Sequence, residues 1–171
     1  MPDAPEMNVQ MVIVMGVSGS GKSTIGQELA AQLRWSFYDG DAFHPAANIA
    51  KMARGIPLTD DDRHPWLQML HQKIVACLER SESAVFACSA LKQAYRDQLV
   101  GHLTHVKIVY LHGSFALVQR RLEQRREHFM KTELLASQFA SLEEPQTAIV
   151  VEIDQDLAAI VTEIVQQIVE P

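Results

Sequence analysis

Nine residues, GVSGSGKST at positions 16–24, constrain the fold of this chain more than any other stretch. They match the pattern G-x-x-x-x-G-K-[ST], follow the apolar and β-branched run VQMVIVM (9–15), and precede a helical spacing of apolar residues over 22–33. A strand, a glycine-rich turn and a helix N-terminus in this order surround phosphate oxygens with backbone N–H groups. The alternative is a glycine- and serine-rich turn that matches by chance, but such a turn needs no flanking strand and helix. The sequence therefore predicts a nucleotide-phosphate site, a P-loop.

The side chains of this loop predict how a nucleotide is held. Lys22 can reach the β- and γ-phosphates and stabilise charge during catalysis, and the Ser23 hydroxyl can ligate Mg²⁺. The glycines let the backbone curl so that its N–H groups point inward. ATP and Mg²⁺ are the predicted cofactors. The predicted nucleotide-binding residues in the loop are Gly16, Ser18, Gly19, Ser20, Gly21, Lys22, Ser23 and Thr24.

Apolar runs and helical patterns alternate along the rest of the chain. Further predicted strands lie at 35–38, 83–90, 105–113 and 147–154. Further predicted helices lie at 65–79, 91–99, 115–126, 132–142 and 157–169. This alternation predicts an α/β fold with a parallel sheet covered on both faces, in a single domain spanning 1–171. Residues 40–64 break the pattern, and because a long irregular stretch in a compact domain is usually functional, we predict that they bind the substrate.

Charge and hydropathy exclude several classes of protein. The chain has 15 basic and 21 acidic residues, a net charge of −6, which argues against non-specific nucleic-acid binding. Its apolar runs are too short to span a bilayer, and its N-terminus lacks a secretion signal. We therefore expect a cytoplasmic protein without a membrane or nucleic-acid partner. Cys77 and Cys88 lie in apolar segments without metal-ligand spacing and are interpreted as buried thiols.

Two carboxylates separated by one glycine follow the second predicted strand, in the stretch DGDAFHPAAN. The third predicted strand has Ser89 rather than an acid near its carboxyl end, so acidic support for a metal must come from elsewhere. Asp39 is predicted to face Mg²⁺, through a water, and Asp41 to accept the proton of an attacking hydroxyl or orient that hydroxyl. The alternative is an Asx-type turn in which Asp41 caps a helix that begins near Ala42.

Four longer stretches resemble the gluconokinases, which are relatives of shikimate kinase and the nucleoside monophosphate kinases. They are MGVSGSGKST, DGDAFHPAANIAKMARGIPLTDDDRHPWL, CSALKQAYRDQL and RLEQRREHFMKTELLASQFASLEEP, in the family's order and spacing over about 11–154. The resemblance implies a three-layer P-loop fold with a five-stranded parallel sheet of order 2-3-1-4-5. It implies ATP-dependent phosphorylation of D-gluconate to 6-phospho-D-gluconate, and a homodimer. A kinase for shikimate or another small molecule, or a nucleotide-binding switch without an acceptor, are the alternatives.

Arginines after the fourth predicted strand are candidates for the phosphates. Arg121 and Arg125 are four residues apart and can project from one helix face. The resemblance implies that Arg125 contacts the phosphates during catalysis, that Arg121 stacks near adenine, and that residues 121–142 form a helical lid. The alternative is a solvated helix face, because Arg120 and Arg126 adjoin them.

A second cationic set is expected for the acid group of the substrate. Arg54, Lys92 and Arg96 are the predicted ligands, and the last two are spaced to converge on one helix. Arg63 is a further candidate, although a salt bridge to Asp60 or Asp62 explains it equally well. The remaining predicted substrate contacts are Asp41 and His44, the latter by hydrogen bonding a hydroxyl unless it is structural; Trp35 and Trp66 are interpreted as core aromatics.

Overall fold

The computed structural model describes residues 10–125 and 132–169. The strands are β1 Met11–Met15, β2 Ser36–Asp39, β3 Ala84–Ala87, β4 Val106–His112 and β5 Ile149–Glu152. The helices are α1 Lys22–Leu33, α2 Ala46–Ala53, α3 Asp60–Glu79, α4 Gln93–Val100, α5 Phe115–Gln124, α6 Thr132–Ser141 and α7 Leu157–Val169, with a 3₁₀ turn at Gly40–Phe43. The strands form one parallel sheet in the order β2-β3-β1-β4-β5, which confirms the predicted topology.

The central strand β1 is buried on both faces because helices cover the sheet from both sides. Val12 and Val14 pack into a cluster with α1 and α7. Met11, Ile13 and Met15, which alternate with them along the strand, pack against α3 and α4 on the other face. Each such fully buried aliphatic side chain contributes about 1.5–3 kcal/mol. The continuous apolar run in the sequence therefore reflects a three-layer arrangement with β1 at its centre.

The parallel strands bring their carboxyl ends to one edge of the sheet. The phosphate loop leaves β1 there, the Asp39–Asp41 turn leaves β2, and Ser89 follows β3. Ligands of open α/β sheets bind at this edge. The topology therefore brings the sequence motifs of three separate strands together.

The segment 40–64 is more regular than the sequence indicated. It contains α2, and α3 begins at Asp60 rather than at residue 65. Thr59 accepts a hydrogen bond from the Asp62 N–H, and the Asp62 side chain accepts one from the Thr59 N–H, a reciprocal cap that starts the helix. The prediction of an irregular stretch up to residue 64 was wrong, because this cap starts α3 at Asp60 and Pro65 lies inside the helix.

Two further expectations concern the cysteines and the length of the apolar helices. Cys77 and Cys88 are buried free thiols, as predicted. Within the described ranges, none of the helices is both long and apolar enough to cross a bilayer.

Candidate active site

A cavity of about 660 Å³ lies at the carboxyl edge of the sheet. Ten of the predicted site residues line it: Ser18, Gly19, Gly21, Lys22, Ser23, Thr24, Asp39, Asp41, His44 and Arg125. The sequence did not assign a role in the site to most of the other residues that line it: Met52, Ala53, Gly55, Pro57, Leu58, Arg63, Trp66, Ser89, Leu122, Leu134, Ser137 and Gln138. One cavity therefore joins the phosphate loop, the acidic turn and part of the 40–64 segment.

The phosphate loop has the backbone that its sequence requires. Gly19 and Gly21 have φ values of 81° and 96°, in the region that glycine adopts without strain. A Cβ on Gly19 would lie 2.7 Å from Cγ of Leu122, so α5 packs directly on the loop. The buried Ser20 hydroxyl donates to the Val17 carbonyl (2.7 Å), which closes the turn from inside. The Ser20 backbone N–H donates to the same carbonyl at 3.2 Å, so both groups of Ser20 stabilise the turn of the loop.

Lys22 begins α1 and lines the cavity. Its ammonium donates to the Val17 carbonyl at 3.0 Å. Burial lowers the pKa of Lys22, and the nearby carboxylates of Asp41 and Asp39 oppose that shift. A partly desolvated cation interacts more strongly with a phosphate than a fully hydrated one.

Asp39 connects the acidic turn to the phosphate loop. The Ser23 hydroxyl donates to Oδ2 of Asp39 at 3.0 Å, and the Asp41 N–H donates to Oδ1 at 3.0 Å. The turn anticipated as an alternative therefore exists, but Asp39 rather than Asp41 caps it. The carboxylate of Asp41 stays 79% exposed and faces the cavity.

Gly40 separates the two acids because no larger residue fits there. A Cβ at this position would collide with the Ala87 carbonyl of β3. The carbonyl of Gly40 accepts a hydrogen bond from Nε1 of Trp66 at 2.8 Å. Trp66 is buried, as the sequence indicated, yet it also lines the cavity, and the His44 ring stacks on it at 4.1 Å between centroids. The acidic turn is therefore held from β3 and from α3.

The Ser23 hydroxyl and the Asp39 carboxylate lie together and provide oxygen ligands of the kind that Mg²⁺ prefers. Within the described ranges, no group of three or more His, Cys, Asp or Glu side chains is arranged to hold a metal ion. Mg²⁺ keeps several waters when bound beside phosphates and needs few protein ligands. The residues present therefore fit this ion.

Comparison with known proteins agrees with this geometry. A family model described as an AAA domain matches residues 11–145. The thermoresistant gluconokinase of Escherichia coli K12 is 44% identical over 160 residues, 91% of each chain. A probable gluconokinase of Xenopus tropicalis is 42% identical over 172 residues, 90% of each chain. The chain belongs to the gluconokinase family.

A solved gluconokinase structure has the same fold. The enzyme from Sinorhizobium meliloti 1021 superposes with a TM-score of 0.84 at 42% identity, over 91% of this chain and 89% of that one. The resemblance drawn from the four sequence stretches is confirmed, as is the P-loop kinase fold.

Arg63 is the cation that α3 supplies to the cavity wall of this gluconokinase-family chain. Its Nη1 donates to the Leu58 carbonyl and lies 3.3 Å from the Tyr95 hydroxyl, and the guanidinium lies over the Tyr95 ring. The two acids considered as its partners bond elsewhere. Asp60 pairs with Lys92 (3.2 Å) and Asp62 with Lys51 (2.7 Å).

The three cations predicted for the substrate do not line the cavity. Arg96 is 2% exposed, and its guanidinium donates to the carbonyls of Ala90 (2.7 Å), Leu91 (3.1 Å) and Glu143 (2.8 Å). It ties the loop after β3 to the loop after α6. Lys92 precedes α4 and pairs with Asp60, so it does not converge with Arg96, and Arg54 ends α2. Arg96 and Lys92 are thus engaged in other contacts, and Arg54 is not among the residues that line the cavity.

The two lid arginines separate. Arg125 ends α5 and lines the cavity, whereas Arg121 donates to the Ile153 carbonyl after β5, outside the cavity wall. Part of the predicted lid (121–142), including Arg126, lies outside the described residues. Its described part α6 supplies Ser137 and Gln138 to the wall. No pattern in a single sequence distinguishes Ser137 and Gln138 from ordinary helix residues.

Gly16 is a further predicted residue that does not line the cavity. A Cβ on Gly16 would lie 2.7 Å from the Ser20 hydroxyl oxygen and 3.2 Å from the Leu111 carbonyl oxygen. Its N–H donates to the Ser89 carbonyl at 3.3 Å. Gly16 therefore allows the loop to leave β1 closely packed against its neighbouring strands.

Proposed function

We propose that this chain is an ATP-dependent gluconokinase, which converts ATP and D-gluconate into ADP and 6-phospho-D-gluconate. Family membership supports the reaction. One observation relates it to particular residues, the hydrogen bond between Ser23 and Asp39. Because this bond joins the phosphate loop to the acidic turn, a nucleotide and an acceptor would meet in one cavity. A nucleotide-binding switch without an acceptor is not favoured.

Asp41 is the proposed base. In the transfer step the terminal hydroxyl oxygen of gluconate bonds to the γ-phosphorus, the bond from that phosphorus to the bridging oxygen of ADP breaks, and the Asp41 carboxylate takes the hydroxyl proton. Exposure of this carboxylate within the cavity supports the assignment. The bond to Ser23 leaves the other acid, Asp39, better placed for the metal.

Lys22 and Arg125 are the proposed cations for the transferred group. Both line the cavity, and the charge of Arg125 is close enough to affect the pKa of Lys22. Phosphoryl transfer spreads negative charge over three oxygens, so two cations on the same wall stabilise the transition state. Ser23 and Asp39 would hold Mg²⁺, which supplies further charge neutralisation on the phosphates when bound.

Arg63 is the proposed ligand of the gluconate carboxylate, in place of Arg54, Lys92 and Arg96. The reactive hydroxyl of gluconate is at the opposite end of the molecule from its carboxylate. The cation that binds the carboxylate must therefore line the same cavity, but away from the phosphate loop. Arg63 is on α3, and both of its described hydrogen bonds use Nη1. A guanidinium has further N–H groups for a bidentate contact with a carboxylate.

The test is ADP release by the purified protein with Mg-ATP and a panel of acceptors: D-gluconate, D-glucose, shikimate and nucleoside monophosphates. Gluconate is expected to stimulate ADP release strongly, and the product to carry its phosphate on carbon 6 by NMR. Stimulation by another acceptor but not by gluconate would replace the proposed substrate. Failure of every acceptor to stimulate release would support a nucleotide-binding switch.

The remaining part of the proposal is a cytoplasmic location and assembly as a homodimer. Both cysteines are free thiols, the state that a reducing cytoplasm maintains. The homodimer implied by the family resemblance stays a prediction, which sedimentation equilibrium can test. The net charge of −6 continues to favour small-molecule substrates over nucleic acid.

A further inference from the structure

Asn48 is a buried polar residue next to the acidic turn. Among the described residues, the buried polar or charged side chains are those of Ser20, Asn48 and Arg96. Ser20 donates to the Val17 carbonyl within its own loop, and Arg96 donates to backbone carbonyls of two loops. Asn48 differs because it contacts the side chain of a cavity residue, His44. A buried amide lowers the stability of the fold unless it is hydrogen-bonded. The hydrogen-bond partners of Asn48 therefore indicate why an amide is present at this position.

The partners of Asn48 fix the orientation of its amide. Nδ2 lies 2.9 Å from the Asp62 carbonyl oxygen and 3.2 Å from Nδ1 of His44. A carbonyl oxygen only accepts, so the amide nitrogen rather than the amide oxygen must face Asp62. The same nitrogen then presents its second hydrogen to His44. Nδ1 of His44 is therefore an acceptor, and the neutral ring carries its proton on Nε2.

The His44 ring is held rigidly in this orientation. It stacks on Trp66 with an interplanar angle of 17°, and its side chain is only 4% exposed. Burial lowers the pKa of His44, which favours the neutral ring. Nε2 lies 3.9 Å from Oδ1 of Asp41. That distance exceeds a hydrogen bond, but the exposed carboxylate of Asp41 can rotate toward the N–H, and a hydroxyl can enter between them.

We propose that Asn48 is a positioning residue that locks His44 as an Nε2–H donor toward Asp41 and the acceptor hydroxyl. In this tautomer His44 has no lone pair on the cavity side, so it cannot take the hydroxyl proton. It instead donates to the hydroxyl oxygen or to the carboxylate, and the proton goes to Asp41. The proposal rests on the proposed kinase function for its effect on turnover, while the tautomer itself is a property of the unliganded protein.

The tautomer is measured directly by long-range ¹H–¹⁵N correlation NMR of the wild-type protein, with His44 assigned by its loss in His44→Gln. The expected spectrum has an unprotonated Nδ1 and a protonated Nε2. A protonated Nδ1 in the neutral ring would overturn the proposal. This measurement needs no substrate, so it gives a result even if gluconate proves not to be the acceptor.

Variants test the link to turnover. Asn48→Ala is expected to give a mixture of His44 tautomers and to lower kcat about tenfold or more, with the KM for ATP unchanged. His44→Gln, which keeps an N–H donor, should retain more activity than His44→Leu. Gln98→Ala is the matched control, because Gln98 is the amide beside Nδ1 of His64 on the surface (3.3 Å), and it should leave kcat unchanged.

The outcomes separate the two proposals. Suppose that the wild type is active on gluconate and that Asn48→Ala folds and has mixed His44 tautomers. If Asn48→Ala then keeps the full kcat, the positioning role of Asn48 is overturned. If Asn48→Ala does not fold, the wild-type spectrum and the comparison of His44→Gln with His44→Leu decide. The expected tautomer in a wild-type protein inactive on gluconate would overturn only the proposed substrate.

Discussion

Gln138 and Ser18 are joined by two hydrogen bonds that run in opposite directions. The Ser18 N–H donates to Oε1 of Gln138 at 2.7 Å, and Nε2 of Gln138 donates to the Ser18 hydroxyl at 3.0 Å. The pair attaches α6 to the phosphate loop, 120 residues earlier in the chain. The loop that is predicted to hold ATP is thus supported by a side chain from a distant helix.

Replacement of Gln138 should weaken ATP binding in a graded way. Gln138→Ala removes both hydrogen bonds, and a Kd for ATP about fivefold or more above that of wild type is expected, since each bond contributes about 0.5–1.5 kcal/mol. Gln138→Glu keeps the acceptor for the Ser18 N–H but places a negative charge beside the phosphates, so it should bind ATP more weakly than Gln138→Ala. Titration calorimetry measures both. An ATP affinity of Gln138→Glu equal to wild type would contradict the role of this contact.

Lys22→Ala should abolish phosphoryl transfer and leave the fold intact. Lys22 lies at the start of α1 on the cavity wall rather than in either apolar cluster, so its loss removes charge stabilisation without opening a core cavity. Circular dichroism should match wild type. A kcat within about tenfold of wild type, equivalent to ~1.4 kcal/mol, is incompatible with the proposed phosphate contact.

The two acids of the turn should give different kinetic defects. Asp41→Asn is expected to lower kcat by orders of magnitude with little change in ATP binding, because an amide cannot take the hydroxyl proton. Asp39→Asn should act mainly through Mg²⁺, and higher Mg²⁺ should partly restore its activity. Steady-state kinetics over a Mg²⁺ series separates the two. If higher Mg²⁺ restores the activity of Asp41→Asn rather than that of Asp39→Asn, Asp41 holds the metal and Asp39 is the base.

Arg63 should determine the preference for an acidic acceptor. Arg63→Ala is expected to lower kcat/KM for gluconate about tenfold or more, since a charge-assisted hydrogen bond contributes ~1.5–3 kcal/mol, and to narrow the preference for gluconate over glucose. Arg54→Ala is the matched control, because Arg54 lies in the same segment of the chain but does not line the cavity. If Arg54→Ala loses the preference and Arg63→Ala keeps it, the carboxylate contact belongs to Arg54.

Acid should weaken the fold through Asp62. The hydrogen bond from Lys51, with a smaller contribution from the Thr59 N–H, lowers the pKa of Asp62 from 3.8 to about 2. A carboxyl with a lower pKa in the folded state stabilises the fold at higher pH, and this contribution is lost as pH falls from 3.8 toward 2. The Tm of the wild type should therefore fall more steeply over that range than the Tm of Asp62→Asn. Asp61→Asn, on the same helix turn, is the control and should keep the wild-type slope; equal slopes for Asp62→Asn and wild type would contradict the expectation.

Local patterns predicted the parts of the site that depend on adjacent residues. The loop around Lys22 and the acids flanking Gly40 are sequence motifs, and the alternation of strands and helices brings them to one edge of the sheet. The role of Arg96 was not predictable in this way, because its position four residues after Lys92 is compatible with either the cavity or the interior. The packing of α4 against the loop that contains Ala90 decides between them. The contact of Gln138 depends likewise on tertiary structure alone.

The wall of the cavity beside α2 has a practical consequence for protein engineering. Five of its residues come from one short segment, namely Met52, Ala53, Gly55, Pro57 and Leu58. None of them belongs to the phosphate loop or to the turn that carries Asp41. A directed-evolution library confined to residues 52–58 would therefore vary the size and polarity of the space open to an acceptor while leaving the ATP half of the catalyst unchanged. Kinases for other polyhydroxy acids are best sought among such variants.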